Sequence, residues 1–278
     1  MTSDPALDLS AYFARIGYDG PRTPTLETLR AIQRLHSQAI AFENLNPLLA
    51  LPVRLDVESL QQKLVRSRRG GYCFEHNGLL LPVLRALGFR VSGLAGRVVW
   101  NNPSDAIPAR SHMILRVELE EGTFLADVGF GMSPTGPLRL VPDIAQETPH
   151  ESFRLVKNDG LYTLQCNLKG HWTSFYMFDL QEQAPVDYQV ANHYVSTWPT
   201  SHFVTSLIAA RATPDGRYGL RNNRLSIHRM TGESEQRVLT SAAEISVVLK
   251  DLFGVVVPDE PAFAAKLARL DWPDFSAS

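Results

Sequence analysis

The chain has 278 residues, 44% of them hydrophobic and 20% charged, with a formal net charge of −2. That length allows two or three structural units with a substantial core, and the near-neutral balance argues against nucleic-acid binding, which needs a basic face to displace counterions. No apolar run reaches the length of a membrane span, and the acidic start Met1–Leu9 lacks the basic and apolar regions of a secretion signal, so a cytoplasmic protein with both thiols reduced is expected.

Residues 7–16 form a short amphipathic pattern stopped by Gly17, and Thr25 is placed to cap a longer helix with Leu26, Leu29, Ile32, Leu35 and Ile40 on one stripe. Asp56 is placed to cap a third helix through about Val65. A fourth begins near Cys73, carries Leu79, Leu80, Leu81, Val83, Leu84 and Leu87, and closes at Gly88. Pro82 lies inside it and predicts a kink or a split near Gly78.

From Phe89 the period changes to two. Val91 to Trp100 reads as a strand and Asn101 to Arg110 as a loop. His112 to Leu119 alternates, a turn at Glu121-Gly122 follows, and Thr123 to Val128 returns. Further strands are expected over Ser152–Val156, Tyr162–Leu168 and Trp172–Phe178, and short strands at this spacing suggest an antiparallel barrel or sandwich. Downstream, Ser201 to Ala212 reads as a short helix, Leu225–Arg229 and Gln236–Leu239 as a hairpin, and Ser241 with Glu244 as a capping box opening a helix to Phe253. Pro261 to Leu270 is one more helix. Helices, then strands, then a mixed tail make an α+β pattern.

Chemistry concentrates in Arg69-Gly70-Gly71-Tyr72-Cys73-Phe74-Glu75-His76-Asn77-Gly78. A cysteine in the first turn of a helix faces unpaired N–H groups and the positive end of the dipole, which favour the nucleophilic thiolate. The alternative is a small buried hydrophobe, as Cys166 is read. A nucleophile needs a base, and the base an orienting group. His76 shares a helix face with Cys73, whereas His112 opens an apolar strand whose returning partner carries Asp127. A buried aspartate is costly without a partner, and a histidine N–H would serve it while fixing the ring tautomer. The competing reading puts Asp127 on a solvated strand end. A turn at Glu121-Gly122 sets Asp127 opposite Arg116, four residues from His112: the face agrees, the register does not. His193, His202 and His228 read as surface or interface residues, and no zinc-ligand spacing is present.

The segments Arg69–Glu75, Ser111-His112 and Asp127-Val128-Gly129-Phe130-Gly131 resemble the arylamine N-acetyltransferase family, as do the 39- and 15-residue spacings from Cys73 to His112 to Asp127. Phe42-Glu43-Asn44-Leu45 and Ser196–Phe203 match it too. The resemblance implies a helical bundle over 1–89, a central antiparallel β-barrel over 90–193, an α/β lid over 194–278, and a cysteine-protease-like triad of Cys73, His112 and Asp127. It implies acetyl-coenzyme A as donor, held by Ser111, Gly129, Phe130, Gly131 and Phe203, and small aromatic amines, hydroxylamines or hydrazines as acceptors. It also implies a Glu43–Arg69 pair that holds the cysteine loop. Met132 stands where many bacterial members continue with glycine. A papain- or transglutaminase-like amidase, an amide synthase of natural-product assembly and a non-catalytic binding protein are the alternatives, and a homodimer is left open.

Overall fold

A computed structural model describes residues 7–102, 107–270 and 272. The acidic stretch 1–6 and part of the expected 101–110 loop lie outside the described residues. The first ninety residues are mainly helical: α1 (Leu9–Ile16), α2 (Leu26–Ala39), the two-residue β1 (Phe42–Glu43), α3 (Leu45–Leu48), α4 (Val57–Leu60), a π-helical turn (Gln61–Arg66) and α5 (Cys73–Ala86). Asp8, Thr25 and Asp56 cap α1, α2 and α4 by accepting backbone N–H groups three residues on. Pro82 does not split α5, which runs unbroken past Gly78. The helix opened by Asp56 widens into the π turn before it reaches Val65.

Then come β2 (Arg90–Val98), β3 (Arg110–Leu119), β4 (Gly122–Ala126), β5 (Leu138–Arg139), β6 (Gln146–Glu147), β7 (Ser152–Asn158), β8 (Leu161–Leu168) and β9 (His171–Phe178). They form one antiparallel sheet in the order β5-β4-β3-β2-β9-β8-β7-β6. Its two ends meet through a side chain. Gln146 accepts the Arg139 N–H on Oε1 at 2.7 Å and donates from Nε2 to the Arg139 carbonyl at 2.9 Å, standing in for a ladder pair. The result is a nearly closed barrel filled by Leu94, Ile114, Leu125, Phe153, Leu155, Leu164 and Phe175. On β3, Ile114 points into this barrel core while Met113, Leu115 and Val117 pack on the helices. Full burial of such a residue contributes about 1.5–3 kcal/mol, so β3 is fixed from both faces.

The remaining elements are α6 (Pro185–Thr197), α7 (His202–Thr205), β10 (Ile208–Thr213), β11 (Gly216–Arg221), β12 (Arg224–Arg229), β13 (Ser234–Val238), α8 (Ala242–Asp251) and α9 (Glu260–Leu267). One expectation changes here, and one helix not read from the sequence is added. The helix read over Ser201–Ala212 is only the short α7; the alanine-rich remainder is β10, because it pairs with β11 on one side and with β1 on the other. Helix α6 gives a weak periodic signal because Val186, Val190, Tyr194 and Trp198 are exposed and only Tyr188, Asn192 and Val195 are buried. The second sheet, β1-β10-β11-β12-β13, thus takes its first strand from the helical region. Its core, covered by α8 and α9, also includes Ala41, Leu45 and Leu48.

A buried polar chain ties the helices together. The Ala41 carbonyl only accepts, so the His76 Nε2–H donates to it at 3.2 Å, leaving Nδ1 to accept from His36 Nε2–H at 2.9 Å. Tyr12 OH then donates to His36 Nδ1 at 2.9 Å. Both imidazoles are neutral in this arrangement, and burial pushes His36 well below its ordinary value and His76 down to about 4. The unfolded chain therefore binds more protons below pH 6.5, and the stability present above that pH is lost as the pH falls toward 4. Replacing His76 by Gln keeps one donor for Ala41 and one acceptor for His36. His76→Gln should remove about 2 kcal/mol of the stability loss seen between pH 7 and pH 5 in urea unfolding; identical pH slopes in variant and wild type would refute the neutral chain.

Candidate active site

The loop before α5 is threaded tightly beneath β1. Glu43 N–H donates to the Gly71 carbonyl at 2.8 Å and Gly71 N–H to the Ala41 carbonyl at 3.3 Å. A Cβ on Gly70 would stand 2.1 Å from the Ala41 oxygen, so no larger residue fits without moving the strand. Glu43, fully buried, accepts from Arg69 Nε at 3.0 Å and Nη2 at 2.7 Å on one oxygen and from Leu45 N–H at 2.6 Å on the other. Burial alone would raise this carboxyl, but the charges of Lys63 and Arg69 and the Leu45 N–H bring it below its ordinary value. The expected Glu43–Arg69 pair is therefore present. One turn on, Glu75 accepts the Tyr72 N–H at 3.1 Å and pairs with Lys63 at 2.6 Å, which anchors the start of α5. A cleft of about 890 Å³ backs this loop, lined by Arg54, Lys63, Arg66, Arg69 and Glu75 among others, and Cys73 is not part of its wall.

Cys73 is the first residue of α5 and is 3% exposed. Its Sγ lies 3.5 Å from the Ser111 carbonyl, beside His112. His112 Nε2 lies 2.8 Å from Asp127 Oδ2, and because the carboxylate only accepts, Nε2 carries the proton and Nδ1 is left for Cys73. The register difficulty disappears because the turn is one residue earlier than its glycine suggests. Leu119 pairs with Gly122 across Glu120-Glu121, and continuing that ladder sets Asp127 opposite Ile114. His112 is then the diagonal neighbour on the same face, within side-chain reach.

Two supporting residues were not read from the sequence. Asn77, one turn after Cys73, donates to Asp127 Oδ1 at 2.9 Å and to the Met113 carbonyl at 2.8 Å, and accepts Val128 N–H at 3.2 Å. Tyr176 OH, from β9, donates to Asp127 Oδ2 at 3.0 Å. A buried asparagine four residues from the cysteine is a signal of its own. Tyr176 has no local signal, since β9 reaches the site only through pairing with β2. Gly129 N–H completes the set at 2.8 Å on Oδ1. A Cβ on Gly129 would lie 2.6 Å from Cys73 Cα, so glycine is what lets this turn touch the helix start.

Burial alone would lower His112, but the charge and hydrogen bond of Asp127, with a contribution from Cys73, outweigh it and push the imidazole up to about 10. Burial raises Asp127, yet the His112 charge and the hydrogen bonds from His112, Asn77 and Gly129 bring it net downward. His76 stands apart: both ring nitrogens are engaged in the chain toward Tyr12, so it is not free to take a proton from Cys73. Cys166 is buried, with its thiol pushed up to about 12. Phe130 packs its ring 5.2 Å from His112, and Phe203 lies 5.2 Å from Tyr72 and 6.3 Å from Phe42. Gly131, at φ 85°, packs toward Ala210 and Phe42, while Met132 lies against the barrel core. Among the described residues no His, Cys, Asp and Glu cluster has the makings of a metal site, and no helix is long and apolar enough to cross a membrane.

A family model described as N-acetyltransferase matches residues 25–262. The arylamine N-acetyltransferase of Mycolicibacterium smegmatis is 45% identical over 259 residues, spanning 91% of this chain and 94% of that one. The chain belongs to the arylamine N-acetyltransferase family. The Escherichia coli K12 member is 46% identical over 253 residues, 90% of each chain. The structure of Mycobacterium marinum arylamine N-acetyltransferase in complex with CoA matches with a TM-score of 0.92 at 44% identity, covering 95% of this chain and all of that one. Family membership makes the chain an acyltransferase enzyme.

Because Asp127 is what raises His112, its charge is testable apart from activity. By imidazole NMR, His112 should be protonated at pH 8 in the wild type and neutral there in Asp127→Asn. A variant that stays folded with His112 still protonated at pH 8 would show that the aspartate does not set its charge.

Proposed function

We propose that arylamine N-acetyl transfer, the family's activity, proceeds here through an acetyl-Cys73 intermediate with acetyl-coenzyme A as donor. The observation that carries this reading is the sulfur at the start of α5 beside an imidazole whose far nitrogen is held by a fully buried carboxylate. His112 holds the proton that Cys73 gives up. The sulfur attacks the thioester carbonyl, the C–S bond to coenzyme A breaks, and the departing thiolate takes the His112 proton. The amine then attacks the acetyl carbon and returns a proton to His112 as the bond to Cys73 breaks. Asp127 stabilises the imidazolium at both ends of the cycle.

The N–H groups of Cys73 and Phe74, the first two of α5, carry no hydrogen bond within the described residues. They are suited to receive the oxyanion of each tetrahedral intermediate. Ser111, Gly129, Phe130, Gly131 and Phe203 are the proposed donor contacts, and the rings of Phe42, Tyr72 and Phe203 suit a flat aromatic acceptor. Tight burial of the three central side chains keeps water from the thioester. The units 1–89, 90–193 and 194–278 would then supply the nucleophile, the base with its orienter, and the cover.

Incubation with acetyl-coenzyme A and no acceptor should add one acetyl group at Cys73 by intact mass and peptide mapping. His112→Ala should slow iodoacetamide alkylation of Cys73 by about 10²-fold or more at pH 7, and His76→Ala should leave it within about threefold. Acetylation at Cys166 instead, or full turnover by Cys73→Ala, would overturn the route.

A further inference from the structure

The segment from Gly129 to Thr135 carries Phe130 over the His112 ring, and it has no regular secondary structure of its own. Its geometry is imposed from outside by three elements. From α2, Gln33 Nε2 donates to the Pro134 carbonyl at 2.8 Å and the Asp127 carbonyl at 3.3 Å. From the barrel side, His150 Nδ1 lies 2.9 Å from Thr135 Oγ1. From the second sheet comes Arg217 of β11, whose side chain is 5% exposed.

The Arg217 guanidinium meets Glu151 bidentately, Nε to Oε1 and Nη2 to Oε2 each at 2.7 Å. Nη2 also donates to the Ser133 carbonyl at 2.9 Å. Ser133 is itself buried, and its Oγ accepts the Phe130 N–H at 2.7 Å. The path from guanidinium to aromatic ring is therefore two hydrogen bonds long and passes through one residue. Phe130 in turn packs on Phe175 and Tyr176, each 5.2 Å between ring centres. An ion pair between the barrel and the second sheet explains Arg217 and Glu151, but not why one guanidinium N–H is spent on the single carbonyl whose residue fixes Phe130. A lysine at 217 would supply the charge without the fork that serves carboxylate and carbonyl together.

We propose that Arg217 is a positioning residue of the transfer reaction: through Ser133 it holds Phe130 against His112, and so keeps water away from the acylated cysteine while the acceptor enters. The inference rests on the acetyl-cysteine route. With Arg217 removed, the nucleophile, base and aspartate stay in place, since their contacts come from α5, β3 and β9 and from the Gly129 N–H, whose turn is held separately by its close approach to Cys73. What loosens is the cover, so partition of the thioester between water and amine should change more than formation of the nucleophile.

The test compares Arg217→Gln, Arg217→Lys and Ser133→Ala with the wild type, each checked for folding by thermal unfolding. Two quantities are read: acetyl-coenzyme A hydrolysed per aniline acetylated, and the rate of Cys73 alkylation by iodoacetamide. In Arg217→Gln the hydrolysis-to-transfer ratio should rise about fivefold or more while alkylation stays within about twofold. Ser133→Ala leaves the ion pair intact and should reproduce the rise, and Arg217→Lys should fall between Arg217→Gln and wild type. A folded Arg217→Gln with an unchanged ratio overturns the proposal, as does an unchanged ratio in Ser133→Ala. If Arg217→Gln does not fold, Ser133→Ala decides alone, a rise supporting the link and no change refuting it. Wild-type protein that takes no acetyl group on Cys73 from acetyl-coenzyme A would instead refute the route beneath the proposal.

Discussion

One buried carboxylate sets the conditions for the rest of the site. Asp127 sits 1% exposed, where an ionised group without partners would be prohibitively costly. It is tolerated because four donors from four places converge on its two oxygens: Asn77 from α5, His112 from β3, Tyr176 from β9 and the N–H of Gly129 in its own turn. Satisfying that single charge therefore forces helix and barrel to meet at one point. The imidazole that results is oriented, favoured in its protonated form and set beside Cys73. Removing any one donor leaves the others to carry a charge that cannot reach water, so the site is mechanically coupled to the packing of the barrel.

A second buried carboxylate does comparable work on the Cys73 side. Glu43 lies in β1, which pairs with β10 through Phe42 and Glu43 and bridges to Gly71 from its other side. The segment leading to Cys73 is thus fixed against a sheet that the C-terminal part of the chain completes. Asn44 extends the link by donating to the Phe203 and Ser206 carbonyls and accepting the Ile208 N–H. The conformation of the cysteine loop and the position of α7 and the start of β10 are consequently one structural problem. Within residues 42–45, Glu43 and Asn44 spend their side chains on this junction.

Much of this was legible in the sequence where local physics decides. The caps at Thr25, Asp56 and Ser241 and the apolar stripe from Leu79 to Leu87 are local signals, and the structure follows them. So is the alternation of β3, although both of its faces are buried, one by helices and one by the barrel. The His112–Asp127 pairing was visible in residue type and face but not in register, because Gly122 drew the turn one residue too late. Segments whose state is set by partners distant in sequence were not legible: Ile208–Thr213 is a strand because β1 and β11 flank it, against the helical leaning of its alanines. Tyr176 could not be found for the same reason. His76 misled in the opposite direction, since its spacing from Cys73 suits a base while its hydrogen bonds give it to the helical core.

The fold supplies positioning and dryness, which is most of what exchanging one acyl bond for another requires. The proposed route through acetyl-Cys73 would separate donor and acceptor in time, and that separation has a kinetic signature independent of any substitution. Initial rates measured over a grid of acetyl-coenzyme A and aniline concentrations test it most directly. The acetyl-cysteine route predicts parallel lines in double-reciprocal plots, because coenzyme A leaves before the amine reacts. Lines that intersect to the left of the ordinate would mean that both substrates are bound together before transfer, and would contradict it.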